Sequence, residues 1–247
     1  MTTRIALLSD IHGNSAALEA ALVDVRKASP DVIAIAGDLV LNGPRPGDVV
    51  DLARELEAAG ALVIQGNTDI AAADLDLTAA FPWFDEVPHT HVAAAGWTHD
   101  ALSDAQLEFL RHLPAERRLN VDGTLVLICH ASPGSQTAGL DADVDAATVV
   151  QRVTRTDARL VVCGHTHVPH LRDLGWKQVI NPGSCGYAFD GDPGASWALL
   201  TIDGDEVATE LRRTPYDVQG VSDELTARGV AGDVYRAATV RTGRFVR

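Results

Sequence analysis

The chain has 247 residues, of which 46% are hydrophobic and 22% are charged, so it can bury a core typical of a globular protein. Its formal net charge of −14 at pH 7 argues against broad electrostatic attraction to nucleic acid or to an anionic membrane. No run approaches the roughly 18 apolar residues of a membrane-spanning helix, and the chain begins without the apolar core of a signal peptide.

The first third of the sequence alternates short apolar runs with helical patterns. The predicted strands cover 4–8, 32–38 and 61–67. Asn14 or Ser15 can cap a helix over 16–28, and Pro46 suits the first turn of a second helix that Gly60 closes. This strand-helix-strand-helix-strand order predicts parallel strands with helices packed on the sheet.

The rest of the chain mixes strands with fewer helices. Residues 70–100 are predicted to be irregular, a helix capped by Ser103 is expected before Pro114, and one helix is expected near 220–228. Other predicted elements are a hairpin over 117–130 that turns at Asp122-Gly123, a helix over 145–155, strands over 159–165 and 176–186, and a hairpin over 196–213. The absence of repeats and linkers favours one α/β domain over 1–247, with a core over about 4–213 and a C-terminal extension over about 214–247.

Five of the predicted strands end in side chains that bind metal ions well. These side chains are Asp10 with His12, Asp38, Asn67, His130, and the pair His165 and His167. Because the carboxyl ends of strands joined by crossover helices align along one edge of a sheet, the residues are expected to converge there. Four His, two Asp and one Asn are too many for one ion and suit two divalent ions about 3.5–4 Å apart.

Asp38 is the candidate for a carboxylate shared by both ions, since it follows Gly37 directly at a strand end. A shared carboxylate offsets the repulsion between two cations. The mixture of imidazole and carboxylate suits Mn, Fe, Zn, Ni or Co better than Mg²⁺ or Ca²⁺, which prefer all-oxygen ligands. Two divalent ions are expected, with Mn²⁺ first among these metals. A hydroxide activated by both ions would attack phosphorus, so the expected activity is metal-dependent hydrolysis of a phosphoester.

The order of the motifs resembles that of a known superfamily. The motifs are DIHG (10–13), GD (37–38), GN (66–67), His130 and GHTH (164–167). In order and spacing they resemble the calcineurin-like metallophosphoesterase superfamily, most of all its small bacterial and archaeal phosphodiesterase branch. The resemblance covers roughly 4–187, including NPGS (181–184). It implies two mixed β-sheets packed as a sandwich and flanked by helices, which is a four-layer fold.

The resemblance also implies a role for each site residue. Asp10, His12 and His167 would hold one ion, Asn67, His130 and His165 would hold the other, and Asp38 would bridge them. The catalytic residues expected on this basis are Asp38, Asn67 and His130.

One position departs from the pattern of many superfamily phosphatases, which have GNH at the third motif. Here Thr68 stands where that His would be, and Thr is a poor proton donor at neutral pH. The hypothesis is a preference for phosphodiesters whose leaving group needs little protonation. An alternative acid is one of His89, His91 and His99, in a segment that could form a lid with FPWF (81–84).

Several alternatives remain at this point. The enzyme could be a phosphomonoesterase, a protein phosphatase or a dinucleoside polyphosphate hydrolase, and a non-catalytic protein-interaction scaffold is the rival outside enzymes. Three cysteines without CxxC spacing fit packed thiols in a reducing compartment, so a cytoplasmic protein is expected. The expected partner is a small phosphoester substrate, without a membrane and without nucleic acid, and a homo-oligomer remains open.

Overall fold

A computed structural model describes all 247 residues, which form ten strands and nine helices. The strands are β1 (Thr2–Leu8), β2 (Val32–Ile35), β3 (Leu62–Val63), β4 (Glu116–Val121), β5 (Thr124–Cys129), β6 (Leu160–Val162), β7 (His170–Asp173), β8 (Gln178–Asn181), β9 (Ala195–Asp203) and β10 (Glu206–Thr214). The helices are α1 (Ser15–Ala28), α2 (Pro46–Ala58), α3 (Asn67–Asp74), α4 (Leu77–Ala80), α5 (His89–Ala101), α6 (Asp104–His112), α7 (Ala146–Val153), α8 (Val218–Arg228) and α9 (Asp233–Thr242).

The strands form two five-stranded sheets, and both sheets are mixed. The first sheet has the order β10-β9-β1-β2-β3, in which β1, β2 and β3 are parallel as predicted and the β9–β10 hairpin is antiparallel. The second sheet has the order β4-β5-β6-β8-β7, in which β5, β6 and β8 are parallel. Strands β4 and β7 close its two edges in antiparallel pairing.

Alternation along the strands divides the core into layers. Along β1, Ile5 and Leu7 pack between the two sheets, whereas Leu8 faces the layer of α1, α2 and α6. Along β6, Val162 points into the same space between the sheets, and Val161 packs against α7 on the outer face. The resulting order of helix, sheet, sheet and helix confirms the predicted four-layer fold.

The predicted caps and hairpin turn are present. The Asn14 side chain accepts a hydrogen bond from the Ala17 amide at 3.1 Å and caps α1. The Ser103 hydroxyl accepts a longer one, 3.4 Å, from the Gln106 amide at the start of α6. Asp122-Gly123 has positive φ at both residues, as a type I′ hairpin turn requires.

Three sequence predictions are wrong. Residues 70–100 are largely helical rather than irregular, because α3 and α5 are rich in alanine, which favours helices without producing an amphipathic stripe. The predicted strand over 61–67 is short, and Asn67 begins α3 instead of ending a strand. Beyond residue 214 the chain forms two helices, α8 and α9, rather than one.

One further strand, β7, lies between the predicted strands over 159–165 and 176–186, where no element was predicted. It is an edge strand with alternating half-buried and exposed residues, which gives little apolar signal. None of the nine helices has the length and apolar character needed to cross a membrane.

Candidate active site

The seven predicted site residues converge at the carboxyl ends of the parallel strands in both sheets. One cluster contains Asp10, His12, Asp38 and His167, and a second contains Asp38, His130 and His165, with the ligand atoms of each cluster within 4.8 Å of one another. The Asn67 Oδ1 atom joins the second cluster, 3.0 Å from His130 Nε2 and 3.0 Å from His165 Nδ1. This grouping is the one that the resemblance implies, and Asp38 belongs to both clusters.

The first cluster places imidazole nitrogens against carboxylate oxygens. His12 Nε2 and His167 Nε2 are 3.1 Å apart. His167 Nε2 lies 3.4 Å from Asp10 Oδ1, and His12 Nε2 lies 3.6 Å from Asp38 Oδ2. His167 Nδ1 donates to the Tyr187 carbonyl at 2.5 Å, and because a carbonyl only accepts, Nε2 keeps its lone pair toward the cluster.

The second cluster is oriented in the same way. His130 Nδ1 donates to the Ala36 carbonyl at 2.7 Å, and its Nε2 lies 3.3 Å from Asp38 Oδ1. Asn67 Nδ2 donates to the Ala80 carbonyl at 3.1 Å, which fixes the amide so that Oδ1 faces the imidazoles. Hydrogen bonds to the backbone therefore aim the donor atoms of both clusters inward.

The backbone itself is strained at most of these positions. Positive φ angles occur at Asp10 (54°), His12 (52°), Asp38 (54°), His165 (69°) and His167 (61°). Side chains larger than glycine rarely adopt this left-handed conformation, which costs about 1–3 kcal/mol per residue and is concentrated at functional sites.

Two motif glycines allow the loops to approach one another. A Cβ atom on Gly66 would collide with Asp38 Oδ1, and a Cβ atom on Gly164 would collide with the Ser9 hydroxyl and lie 2.5 Å from Asp10 Oδ2. The Gly in GN and the Gly in GHTH are therefore required by the packing of the two carboxylates.

Burial and mutual charge shift the pKa values of the acidic groups in the metal-free protein. Burial, with the nearby Asp38 charge, raises the pKa of Asp10 to about 7. Burial would also raise the pKa of Asp38, but the positive charge and hydrogen bond of His130 outweigh it and lower that pKa. Asp38 in turn overcomes the burial of His130 and raises its pKa to about 9, so this pair is ionic.

The other three imidazoles are neutral at pH 7. Burial, together with the charge on His130, lowers the pKa of His165 to about 4. Burial also lowers the pKa values of His12 and His167. Neutral imidazoles carry the free lone pairs that metal binding needs.

The donor set fits a pair of divalent transition-metal ions. It offers four imidazoles, two carboxylates and one amide oxygen, which suit Mn, Fe, Co, Ni or Zn. Neither Asp10 nor Asp38 contacts a lysine or an arginine, although both carboxylates are at most 2% exposed. The close approach of His12 Nε2 to His167 Nε2 and the buried carboxylates without a cationic side chain match a site that cations stabilise.

Comparison with known proteins agrees with this geometry. A family model described as the calcineurin-like phosphoesterase superfamily domain matches residues 3–205. The chain belongs to this superfamily. Membership supports hydrolase activity on phosphoesters, and the buried Asp and His residues form a cluster suited to divalent metal ions.

Individual relatives cover nearly the whole chain. An uncharacterized protein of Methanocaldococcus jannaschii, MJ0912, is 28% identical over 236 residues, which cover 90% of this chain and 91% of the relative. The crystal structure of a metallophosphoesterase from Sphaerobacter thermophilus is 28% identical, with a TM-score of 0.76 over 98% of this chain and 100% of the other. The hypothetical protein PH1004 from Pyrococcus horikoshii shares the fold at 19% identity, with a TM-score of 0.84 over 98% of each chain.

Asp69, a further residue of the candidate site, was not identified from the sequence. Its carboxylate is fully buried and accepts hydrogen bonds from the amides of Leu39 (2.8 Å), Val40 (3.1 Å) and Gly66 (2.9 Å). It therefore ties the loop after Asp38 to the GN motif. The spacing of Gly66 and Asp69 is that of a helix capping box, which was the available signal.

The NPGS segment does more than turn the chain. Asn181 Nδ2 donates to the Gly164 carbonyl at 2.9 Å and to the Thr166 hydroxyl at 3.0 Å. The Ser184 hydroxyl donates to the Asp10 carbonyl at 2.7 Å. The NPGS segment thus holds the DIHG and GHTH loops of the candidate site together.

The two C-terminal helices also reach this site, which the sequence did not indicate. Arg228 Nη1 donates to the Gly43 carbonyl at 2.7 Å, and Arg236 Nε donates to Asn42 Oδ1 at 3.1 Å. Both arginines pair with the buried Asp233. Asn42, whose φ is 71°, lies 3.4 Å through Nδ2 from Nδ1 of His12, so α8 and α9 support the loop beside that ligand candidate.

The position of the missing histidine is packed rather than open. Thr68 is 4% exposed, its hydroxyl donates to the Val40 carbonyl at 3.0 Å, and its amide donates to Asp38 Oδ1 at 2.9 Å. None of His89, His91 and His99 hydrogen-bonds to the seven site residues; His99 Nδ1 instead donates to the Ala72 carbonyl.

Proposed function

We propose that this protein is a phosphodiesterase that depends on two divalent transition-metal ions, with Mn²⁺ favoured. Asp10, His12 and His167 would hold one ion, Asn67, His130 and His165 would hold the other, and Asp38 would contact both. The observation that carries the proposal is the convergence of seven side chains into two clusters that share one carboxylate. When bound, two such ions polarise phosphoryl oxygens and activate water for attack on phosphorus.

The chain's own residues prepare this site in three ways. In the metal-free protein the positive charge of His130 keeps the shared carboxylate ionised, and a bound cation would replace that charge as His130 loses its proton. Hydrogen bonds from His130 to Ala36 and from His167 to Tyr187 fix which ring nitrogen faces the substrate side. The strained backbone places these groups before any ligand arrives, so little reorganisation is needed during the reaction.

The preference for diesters rests on Thr68. Its hydroxyl is committed to the Val40 carbonyl and its side chain is buried, so it cannot protonate a departing group. Without a general acid, hydrolysis favours leaving groups that are stable as anions, as in activated or cyclic phosphodiesters. A small phosphodiester with a good leaving group therefore suits this site better than a phosphomonoester with a poor one.

The test compares bis(p-nitrophenyl) phosphate with p-nitrophenyl phosphate, using metal-stripped protein with and without added Mn²⁺. The variant Asp38→Asn removes the shared carboxylate, and Asp145→Asn is the matched control because Asp145 is an exposed helix cap that Asn can replace. We expect Mn²⁺-dependent diester cleavage that Asp38→Asn abolishes and Asp145→Asn preserves.

Other results would point to the alternatives. A preference for the monoester would refute the diesterase proposal and favour a phosphomonoesterase or protein phosphatase. No turnover with Mn, Fe, Zn, Ni or Co would refute the enzyme and favour a scaffold that binds other proteins.

A further inference from the structure

An exposed tryptophan lies beside the second cluster of the candidate site. Trp83 occupies the connection between α4 and α5, and 52% of its surface is exposed. Its ring centroid is 5.9 Å from that of His165, at an interplanar angle of 65°. The tryptophan therefore lies next to the metal-ligand candidates. Its ring and the His165 imidazole meet edge to face and are not stacked.

The connection that carries Trp83 is anchored on both sides. Phe81 is 4% exposed and packs with Ala71 and Ala94, while its ring lies 5.8 Å from that of Trp83 in an edge contact. Asn67 donates to the carbonyl of Ala80, the residue before Phe81, and so links the connection directly to the second cluster. Trp83 is thus held at a defined place relative to the site.

The faces of the Trp83 ring have no stacking partner within the protein. Its three ring neighbours, Phe81, Phe84 and His165, are all tilted or edge-on, at interplanar angles of 53° to 75°. Each of the other three tryptophans has a cationic side chain over its ring. These pairs are Arg228 over Trp97, Lys177 over Trp176 and Arg212 over Trp197.

We propose that Trp83 is a stacking platform for the nucleobase of a small nucleotide phosphodiester. The proposal rests on the proposed function, because it places the phosphate at the seven converging side chains and the base on the adjacent ring. A base stacks on an aromatic side chain through its π-face, and this contact needs no positive charge. A protein of net charge −14 can recognise a nucleotide in this way.

The matched control is Trp176. It is 51% exposed, nearly the same as Trp83, but it lies in the turn between β7 and β8 with Lys177 at 5.3 Å from its ring centroid. Trp83→Ala and Trp176→Ala therefore each remove an indole ring of nearly equal exposure, one beside the candidate site and one in the turn between β7 and β8. Trp83→Phe keeps a smaller aromatic face and tests whether the ring itself matters.

The first measurement is binding without turnover. Calorimetric titration of the Mn²⁺-treated protein with AMP and with ribose 5-phosphate isolates the contribution of the base. We expect AMP to bind about 5- to 150-fold more tightly, the range that one base–aromatic stack provides. Trp83→Ala should abolish this advantage, Trp83→Phe should keep part of it, and Trp176→Ala should keep all of it.

The second measurement is activity on two diesters with the same leaving group, thymidine 5′-(p-nitrophenyl phosphate) and methyl p-nitrophenyl phosphate. We expect Trp83→Ala to reduce kcat/KM for the thymidine ester far more than for the methyl ester. Equal reductions for both esters, or an AMP advantage that survives Trp83→Ala, would overturn the platform. Failure of every variant and of the wild type to cleave either ester would instead count against the phosphodiesterase, while the binding comparison would still decide the role of Trp83.

Discussion

Replacing Asp69 with Asn exchanges one oxygen of a buried carboxylate for an NH2 group. The least costly orientation keeps the oxygen that accepts from Leu39 (2.8 Å) and Val40 (3.1 Å). The new NH2 group then faces the amide of Gly66, 2.9 Å from the atom that it replaces, so two donors oppose each other. One charge-assisted hydrogen bond is lost and a buried N–H is left without a partner.

These losses set the magnitude. A lost bond to a charged group and an unpaired buried donor each cost about 1–3 kcal/mol, and relief from burying a carboxylate offsets part of the sum. We expect a net loss of about 2 kcal/mol in unfolding free energy, equivalent to a fall in Tm of about 4–8 °C in a chain of this size. Because Gly66 and the loop after Asp38 then shift, Mn²⁺ affinity should fall about 10- to 100-fold.

The assay combines thermal unfolding of the metal-free protein with calorimetric Mn²⁺ titration at pH 8. This pH lies above the Asp69 pKa, which burial and the nearby Asp38 charge raise to about 7, so the wild-type carboxylate is ionised. Asp145→Asn serves as the control and should change the unfolding free energy by less than about 0.5 kcal/mol. A Tm and a Mn²⁺ affinity in Asp69→Asn that both match those of the control would refute the bracing role of Asp69.

Three further predictions concern other parts of the site. The pKa values of Asp10 (about 7) and His130 (about 9) lie above the usual values of 3.8 and 6.5, so their stabilisation of the metal-free fold is lost as pH rises, and between about pH 7 and 9 this loss is not opposed by His12, His165 and His167, whose lowered pKa values act at lower pH. Urea unfolding in a chelator should show this decline, and a flat profile would contradict it. Gly66→Ala should lower Mn²⁺ affinity and diesterase activity at least about 100-fold through collision with the shared carboxylate; Gly96→Ala, in a helix with open space around it, should leave both unchanged. Arg236→Ala breaks a buried ion pair and two further hydrogen bonds, one to the loop at Asn42 and one to the first turn of α5, and should cost about 3–5 kcal/mol by denaturant unfolding. A cost below about 1 kcal/mol would show that the pair is dispensable.

Most of the candidate site could be predicted because its residues follow apolar strand patterns. Asp10, Asp38 and His130 each stand where an apolar run stops, and parallel strands bring such positions to one edge. The division of the seven residues between two clusters came from the resemblance, since strand ends alone do not specify which side chains are neighbours. Asn67 lies beside His130 and His165 as expected, but its predicted local structure was wrong, because it begins a helix rather than ending a strand.

The supporting residues could not be predicted because their contacts are distant in sequence or made by the backbone. Arg228 and Arg236 contact a loop about 190 positions earlier, and no periodic pattern records such a pair. The helices within 70–100 were missed because alanine favours helix without marking a buried face. Trp83 was noted only within the FPWF segment as part of a possible lid, and its contact with His165 could not be predicted because the two residues are far apart in sequence.

The support that α8 and α9 give to the loop beside His12 has a consequence for how the protein is made. His12 leaves the ribosome early, but Arg228 and Arg236 are synthesised more than two hundred residues later. During translation the earliest ligand candidates therefore lie beside a loop that lacks these contacts, and we expect firm metal binding only after α9 has been synthesised. Chains truncated before residue 228 should consequently release Mn²⁺ faster than the full 247-residue chain, so metal retention would report that synthesis has passed this point.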